Sequence, residues 1–418
     1  MNPTSHMTPY PLSPTAGTIT GDKVVGRLDE IKKLKQLLNG QSVVINDIRR
    51  LGKTLLLQKL AYLSIENDEP NKAIYFIFQG KDSLQSLTDV ILNELRSKGK
   101  HGWLKVSMHR CHALYQKLTG SKVDITYQDI EFSLALPQFE TRWDVAFRAC
   151  IEDLADRQAE KDETLTLIFD ELPIMLWAWI SVGKANDAMA FLDLLRNIHY
   201  SLKDSSRIRF IFCGSIGMNV VLAKLRHDHS YTGEPLNYTK EYHLPPMSDA
   251  DAIFLCECLY LSSFQCDTLD NKQAHFQRII QNCNGLPYFI NGVFTILQTE
   301  HDSLLSAHTV DQALLSIVSD TGSVFDVFKQ LDVRLTTYYP AGQTKIMYAC
   351  LKLLARAQAP IAEDALVSQL PFEEQETQNA LSILWQDQLL VRTFDVNGAR
   401  YFAFKYNIIQ RWWKLNKA

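Results

Sequence analysis

Short apolar runs alternate with stretches of helical spacing as far as Pro245. Most of these runs are continuously apolar and rich in β-branched or aromatic residues, which is typical of parallel strands covered by helices on both faces. The alternation predicts an α/β fold with a parallel sheet and crossover helices. The predicted strands are Ser42–Asn46, Ala73–Phe78, Leu165–Phe169, Arg209–Cys213 and Lys240–Leu244.

A long segment, Lys98–Pro137, separates the second predicted strand from the third. It contains a stretch of helical spacing, Trp103–Leu118, and then an alternating stretch, Val123–Leu136. The alternation favours a hairpin. We therefore predict an insertion between the two strands.

Only helical spacing follows Pro245-Pro246, which predicts a helical region at 246–320. The resemblance given below implies that this region is a lid. Further along, Asn397-Gly398 between two strand-like runs is a strong hairpin signal. Three helical stretches before a hairpin indicate a winged-helix domain at 321–418. The predicted elements are Ala252–Leu261, Lys272–Asn282 and Pro287–Thr299 in the lid, then Thr344–Gln358, Ala362–Gln369, Phe372–Gln388, Leu390–Phe394 and Arg400–Phe404.

Composition limits the class of protein. The chain has 418 residues, 46% of them hydrophobic and 22% charged, so it can bury a core and form roughly two to three domains. A net charge of −4 argues against a wholly basic nucleic-acid coat. The apolar stretch Leu172–Val182 is too short to span a bilayer, and the Pro-, Ser- and Thr-rich start has no signal-peptide pattern. We expect a cytoplasmic protein without a membrane partner, with a disordered tail at 1–22.

A candidate phosphate-binding loop, Asp47–Thr54 (DIRRLGKT), lies between the first strand and a helix. In such a loop Lys53 reaches the β- and γ-phosphates and the Thr54 hydroxyl binds Mg²⁺. Asp47 stands where the motif usually has its first glycine, and its carboxylate would repel phosphate unless Arg49 or Arg50 neutralises it. The alternative is a fortuitous Gly-Lys-Thr in an ordinary turn.

Two acids end the third strand, in the segment Leu165–Glu171 (LTLIFDE). Because ligands bind at the carboxyl ends of parallel strands, we expect both acids near the phosphate loop. Asp170 would hold Mg²⁺, and Glu171 would polarise the attacking water. The alternative is a helix N-cap, where Asp is common.

Ser215 follows the fourth strand, where its hydroxyl would contact the γ-phosphate or the water as a sensor. An ordinary loop serine is the alternative. No arginine finger is assigned, since surface placement is the default for each nearby arginine: Arg196, Arg207 and Arg226.

These motifs together resemble AAA+-type P-loop ATPases of the STAND and archaeal-ATPase group. The similarity extends over nearly the whole chain, although the first glycine of the phosphate loop is missing. The segments that carry it are Val24–Glu30, Arg49–Thr54, Phe169–Pro173, Asn284–Pro287 and Tyr401–Trp413.

The resemblance implies an ATPase core at 23–245 with the strand order 5-1-4-3-2, beside the lid and the winged helix. It implies ATP and Mg²⁺ as cofactors and a conformational switch, with Lys53, Glu171 and Ser215 in catalysis and Thr54 and Asp170 on the metal. The nucleotide contacts that it implies come from Gly26, Arg27, Arg49, Arg50, Leu51, Gly52, Lys53, Thr54, Leu55 and Pro287.

Charge is distributed unevenly between two candidate partner surfaces. The predicted recognition helix, Phe372–Gln388, has four acids and no Lys or Arg, which disfavours DNA binding through the winged helix. Residues 95–123 hold seven cations and no acid. This basic stretch is suited to nucleic acid or an acidic protein surface, or is the solvated face of an amphipathic helix.

Three functions follow from these observations. The first is an ATP-binding and ATP-hydrolysing switch, whose lid and winged helix relay the nucleotide state to a protein partner or through self-association. The second is a DNA-binding AAA+ ATPase of the initiator, transposition or defence type that uses the basic stretch at 95–123. The third is a non-hydrolysing nucleotide-binding scaffold, because Asp47 departs from the phosphate-loop motif.

Overall fold

A computed structural model describes most of the chain. The described residues are 8–14, 19–83, 86–87, 90–91, 143–202, 207–319 and 327–418. The predicted insertion and the basic stretch at 95–123 lie outside them. Part of the predicted N-terminal tail packs against the fold: Leu12 is buried, and its backbone N–H donates to the Cys258 carbonyl at 2.9 Å.

A five-stranded parallel sheet forms the centre of the structure. Its order is β2-β3-β4-β1-β5, which confirms the predicted 5-1-4-3-2 arrangement. β5 is shorter than predicted because the backbone N–H of Leu244 bonds to the Asp47 side chain instead of a neighbouring strand. The strands are β1 (Ser42–Asn46), β2 (Asn71–Ile77), β3 (Thr164–Asp170), β4 (Ile208–Gly214) and β5 (Thr239–Glu241).

Helices cover both faces of this sheet, which explains why its strands are continuously apolar. Val43 and Ile45 of β1 pack into the core shared with α1 and α2, whereas Val44 points into the core shared with α3 to α6. These helices are α1 (Leu28–Leu38), α2 (Lys53–Glu66), α3 (Trp143–Lys161), α4 (Leu172–Ser181), α5 (Ala185–Leu202) and α6 (Met218–His229).

The next part of the chain, here called the helical segment (Asp249–Val318), is mainly α-helical. Ser248 caps its first helix by accepting the Asp251 N–H at 3.2 Å. A short parallel pair, β6 (Gln265–Cys266) and β7 (Leu304–Leu305), links its loops. Its helices are α7 (Asp249–Tyr260), α8 (Lys272–Asn282), α9 (Pro287–Glu300) and α10 (Ala307–Val318).

The last part, here called the C-terminal unit (Val327–Ala418), combines helices with a three-stranded antiparallel sheet of order β8-β10-β9. The predicted hairpin is present, with Gly398 at a φ of +85° in its turn. The first helix of the unit has no counterpart among the predicted elements. The elements are α11 (Val327–Tyr338), α12 (Ala341–Arg356), β8 (Ile361–Ala362), α13 (Glu363–Gln369), α14 (Glu374–Gln386), β9 (Leu390–Phe394), β10 (Arg400–Phe404) and α15 (Asn407–Asn416).

One continuous apolar core joins the three parts. It runs from Ile45 in β1 through Phe289 in α9 to Phe328 in α11 and Trp412 in α15. The rings of Phe289, Phe328 and Trp412 stack in sequence, with centroids 5.2 and 5.3 Å apart. The parts therefore pack together through apolar contact. Among the described residues, no helix has both the length and the apolar character needed to cross a bilayer.

Gly26 is a tight contact between the N-terminal part of the core and the helical segment. Its φ is +64°, and an added Cβ would lie 2.4 Å from the Asp251 side chain. The same Asp251 carboxylate accepts the backbone N–H of Arg27 at 3.0 Å. Only glycine fits both the backbone conformation and the space.

We expect Gly26→Ala to destabilise the protein by about 2 kcal/mol, since the new methyl adds a steric clash to a strained φ. Urea unfolding followed by circular dichroism measures the change. Gly342→Ala is the matched control, because Gly342 lies in the first turn of α12 with no atom within 4 Å of an added Cβ. Equal stability of the Gly26→Ala protein and the wild type would contradict the role given to this contact.

Candidate functional site

The carboxyl ends of β1, β3 and β4 meet at one edge of the sheet, beside the loop that connects β1 to α2. This loop turns through left-handed conformations at Arg50 (φ +73°) and Gly52 (φ +88°), and α2 begins at Lys53. A cavity of about 530 Å³ opens above it. The cavity is lined by Ile19, Arg49, Arg50, Gly52, Lys53, Thr54, Leu55, Gln79, Asp170, Glu171, Ser215, Pro287, Tyr288, Asn291 and Gln330.

Lys53 carries the charge at the centre of the loop. Its Nζ donates to the carbonyl oxygens of Asp47 and Ile48, each at 2.7 Å. The side chain is buried, and this burial lowers the pKa of its ammonium group. Within the described part of the chain its hydrogen-bond acceptors are carbonyls and not carboxylates. An anion bound in the cavity would therefore be its natural counter-charge.

The two predicted metal ligands, Thr54 and Asp170, are joined by a hydrogen bond. The Asp170 Oδ2 accepts the Thr54 hydroxyl at 2.8 Å and the Tyr75 hydroxyl at 2.7 Å. Burial, followed by the neighbouring Asp170 charge, raises the pKa of Tyr75, which keeps it a hydrogen-bond donor. A hydroxyl and a carboxylate are oxygen ligands of the kind that Mg²⁺ takes, so this donor set fits the ion.

Glu171 points toward β4, where Ser215 holds its carboxylate. Its φ is +60°, and its side chain does not cap α4, although it occupies the N-cap position. Instead, Oε2 accepts both the N–H and the hydroxyl of Ser215, each at 2.8 Å. This arrangement places the acid beside the cavity and not at the helix end.

Arg49 extends this chain of hydrogen bonds to the C-terminal unit. Its Nη2 donates to the Ser215 hydroxyl at 3.1 Å, and its Nη1 donates to Oε1 of Gln330 in α11 at 3.0 Å. Partial burial lowers the pKa of this guanidinium, and the Glu171 charge opposes that shift. One arginine therefore connects the strand-end serine with a helix distant in sequence.

Asp47 is buried, and its side chain turns away from the cavity. Its Oδ2 accepts the Leu244 N–H at 2.7 Å. Among the described residues, the basic groups beside Oδ1 are His243, with Nδ1 at 3.5 Å, and Lys405, with Nζ at 3.6 Å. Arg49 and Arg50, the two arginines considered from the sequence as partners of this carboxylate, line the cavity instead.

Gly26, Arg27 and Leu51 are not among the residues that line the cavity. Arg27 lies behind the loop, where its guanidinium donates to the Leu51 carbonyl at 2.9 Å and to the Pro245 carbonyl at 2.8 Å. It also pairs with the Glu30 carboxylate at 3.0 Å. Arg27 thus braces the loop from outside, and the nucleotide contacts of Gly26, Arg27 and Leu51 stay predictions.

The start of α9 forms the opposite wall of the cavity. Pro287 lies over the loop, since its Cγ would be 3.5 Å from a Cβ added at Gly52. The Arg50 guanidinium lies 4.6 Å from the centre of the Tyr288 ring, within the range of a cation–π contact. Tyr288 and Asn291 were not among the site residues predicted from the sequence. Their helical spacing after Pro287 is the signal that could have indicated them. No comparable signal marks Tyr75, Gln79 or Gln330.

The three arginines near β4 are not among the cavity-lining residues. Arg226 pairs with Glu234 at 2.7 Å, and Arg207 pairs with Asp162. Arg196 lies 5.6 Å from the centre of the Tyr200 ring. Their positions agree with the default of surface placement.

Comparison with solved structures finds a similar overall fold. A Walker-type ATPase of Pyrococcus abyssi has a TM-score of 0.56 at 14% identity, covering 94% of this chain and 97% of that one. RuvB of Thermotoga maritima, a Holliday junction branch migration motor, covers 91% of this chain and 93% of that one at 13% identity, but its TM-score of 0.34 is too low to support an argument. Comparisons with protein-family models and with curated proteins give no match. The chain thus shares its overall fold, an α/β fold with a central parallel sheet, with that Walker-type ATPase.

Proposed function

We propose that this protein binds ATP with Mg²⁺ in the cavity and hydrolyses the nucleotide slowly, as a molecular switch. The observation that carries the proposal is the grouping of Lys53, Thr54, Asp170 and Glu171 around one cavity in a P-loop fold. Two motifs far apart in sequence are needed for this grouping. A fortuitous turn at Lys53 would have no reason to face both acids.

Binding is assigned to the loop and the first turn of α2. Lys53 would exchange carbonyl acceptors for phosphate oxygens, and the backbone N–H groups at the helix start favour an anion. Thr54 and Asp170 would hold Mg²⁺, which neutralises phosphate charge when bound. Tyr75 would orient the Asp170 carboxylate for this task, since it donates to the same oxygen as Thr54.

Hydrolysis is assigned to Glu171 as the group that polarises the attacking water. Both hydrogen bonds from Ser215 end on one oxygen, Oε2, which leaves Oε1 to accept a proton from water. These two bonds fix the orientation of Glu171 beside the cavity. We therefore propose Ser215 as the residue that links phosphate occupancy to the readiness of Glu171.

The helical segment is proposed as a lid that moves with the C-terminal unit. The Asn284 side chain accepts the Ile408 N–H at 2.9 Å, and Arg411 donates to the Asn282 side chain at 2.8 Å. These bonds, together with Arg49–Gln330, support transmission from the cavity to residues 327–418. The order of helices and strands there supports a winged helix, and the STAND-type resemblance supports a switch.

A protein partner or self-association is proposed as the output of the switch. The exposed start of α14 carries Glu373, Glu374 and Glu376, which suits a protein surface better than a phosphate backbone. Nucleic-acid binding through the basic stretch at 95–123 stays a prediction from the sequence.

Replacing Lys53 with alanine is expected to weaken ATP binding at least about tenfold, because the buried ammonium is the central charge for the phosphates. Isothermal titration calorimetry with Mg²⁺–ATP measures the affinity. Lys33→Ala, which removes an exposed lysine from α1, is the matched control and should bind like the wild type. Unchanged affinity in Lys53→Ala would exclude this cavity as the ATP site.

Glu171→Gln is expected to reduce turnover about 100-fold while ATP stays bound, because the amide cannot accept a proton from water. Phosphate release at saturating ATP gives the rate, and retention of labelled ATP gives occupancy. Glu376→Gln, on the exposed face of α14, is the control. A wild-type protein that binds ATP without releasing phosphate would support the non-hydrolysing scaffold instead.

A further inference from the structure

Asp47 presents a buried charge that the ATPase chemistry does not use. Its side chain is 0% exposed, and Oδ1 is without a hydrogen-bond donor among the described residues. A carboxylate in such a place is costly unless nearby cations compensate it. In the part of the chain that the structure describes, the basic side chains within 4 Å are His243, which is charged only when protonated, and Lys405, and they come from different parts of the fold.

His243 belongs to the core, just after β5, whereas Lys405 belongs to the C-terminal unit, just after β10. The Lys405 backbone N–H donates to the Leu389 carbonyl at 2.9 Å, and its ammonium donates to the Gln388 side chain. Lys405 is therefore held by its own unit. Its contact with Asp47 joins that unit to the phosphate loop.

We propose that Lys405 is a positioning residue, which docks the C-terminal unit on the phosphate loop through Asp47 and thereby sets the affinity for nucleotide. The inference rests on the proposed function, since it requires ATP to bind in the loop. Asp47 takes the position that a glycine usually has, so this link comes from the departure of the chain from the common motif.

Two contacts of Asp47 connect Lys405 with Lys53. The Asp47 carbonyl accepts the Lys53 ammonium at 2.7 Å, while the Asp47 carboxylate faces Lys405 at 3.6 Å. Removing the Lys405 charge leaves extra negative potential beside the bound phosphates and weakens their binding. By linkage, ATP then stabilises the docked C-terminal unit to the same extent that docking stabilises ATP.

The second cation makes this coupling depend on pH. The Asp47 carboxylate raises the pKa of His243, so the imidazolium is present at low pH and is lost as the pH rises through that raised pKa. Above it, Lys405 is the charged partner that remains within 4 Å of the Asp47 carboxylate among the described residues. Removing the Lys405 charge should therefore weaken nucleotide binding more at high pH than at low pH. The other titratable groups that act on Asp47 or His243 are Lys53, Glu241, Tyr242 and Tyr406.

The test is a double-mutant cycle on the full chain, with Mg²⁺–ATP affinity measured by calorimetry at about pH 6 and about pH 8.5. We expect Lys405→Met to weaken binding about tenfold at the higher pH and less at the lower one. In the Asp47→Asn background the same change should have no effect. Lys405→Arg should restore the wild-type affinity, and Lys414→Met on the exposed face of α15 is the control.

Several outcomes would overturn the inference. An equal loss in the wild-type and Asp47→Asn backgrounds would show that Lys405 acts by another route. An equal loss of ATP affinity at both pH values would exclude the shared compensation of Asp47 by Lys405 and His243. This comparison tests the inference even if the Asp47→Asn protein does not fold. Wild-type protein that binds no ATP would refute the proposed function itself, whereas ATP binding without coupling would refute only the role of Lys405.

Discussion

The buried ammonium of Lys53 is the constraint on which the site depends. A cation with its pKa lowered by burial needs oxygen ligands, and the loop supplies the carbonyls of Asp47 and Ile48. Between these carbonyls and the start of α2 the chain passes through left-handed conformations at Arg50 and Gly52. Because these contacts hold the loop in one conformation, the ends of the neighbouring strands lie at defined distances from it.

The contact with Lys53 also bears on the orientation of the Asp47 side chain. With its carbonyl committed to Lys53, its carboxylate is directed away from the cavity, toward Leu244, His243 and Lys405. One residue thus connects the inside of the loop with the C-terminal unit. A glycine at this position would leave the loop intact but remove the connection, so the departure from the motif need not weaken phosphate binding.

The parts of the structure that can be predicted from the sequence are those that short, local sequence patterns encode. Lys53 and Thr54 follow a strand within a recognisable spacing, and Asp170 with Glu171 end another strand, so the strand order brings them together. Gln330 lies on α11, whose sequence carries no comparable pattern, and Lys405 follows a hairpin strand that is far from the loop in sequence. Their positions depend on how the three parts pack through the shared apolar core, and single-sequence patterns do not encode that packing.

Two adjacent acids acquire different chemistry from their surroundings. Asp170 accepts hydroxyl groups from α2 and β2, which direct its oxygens toward the start of the helix, where a cation would meet the phosphates. The positive φ of Glu171 turns the next side chain the other way, toward Ser215 on β4. Since Arg49 bonds both to Ser215 and to Gln330 in α11, the hydrogen bonds that restrain Glu171 lead directly into the C-terminal unit. Movement of that unit would therefore reach Glu171 through Arg49 and Ser215, whereas Thr54 and Asp170 are held by their own hydrogen bond and by Tyr75.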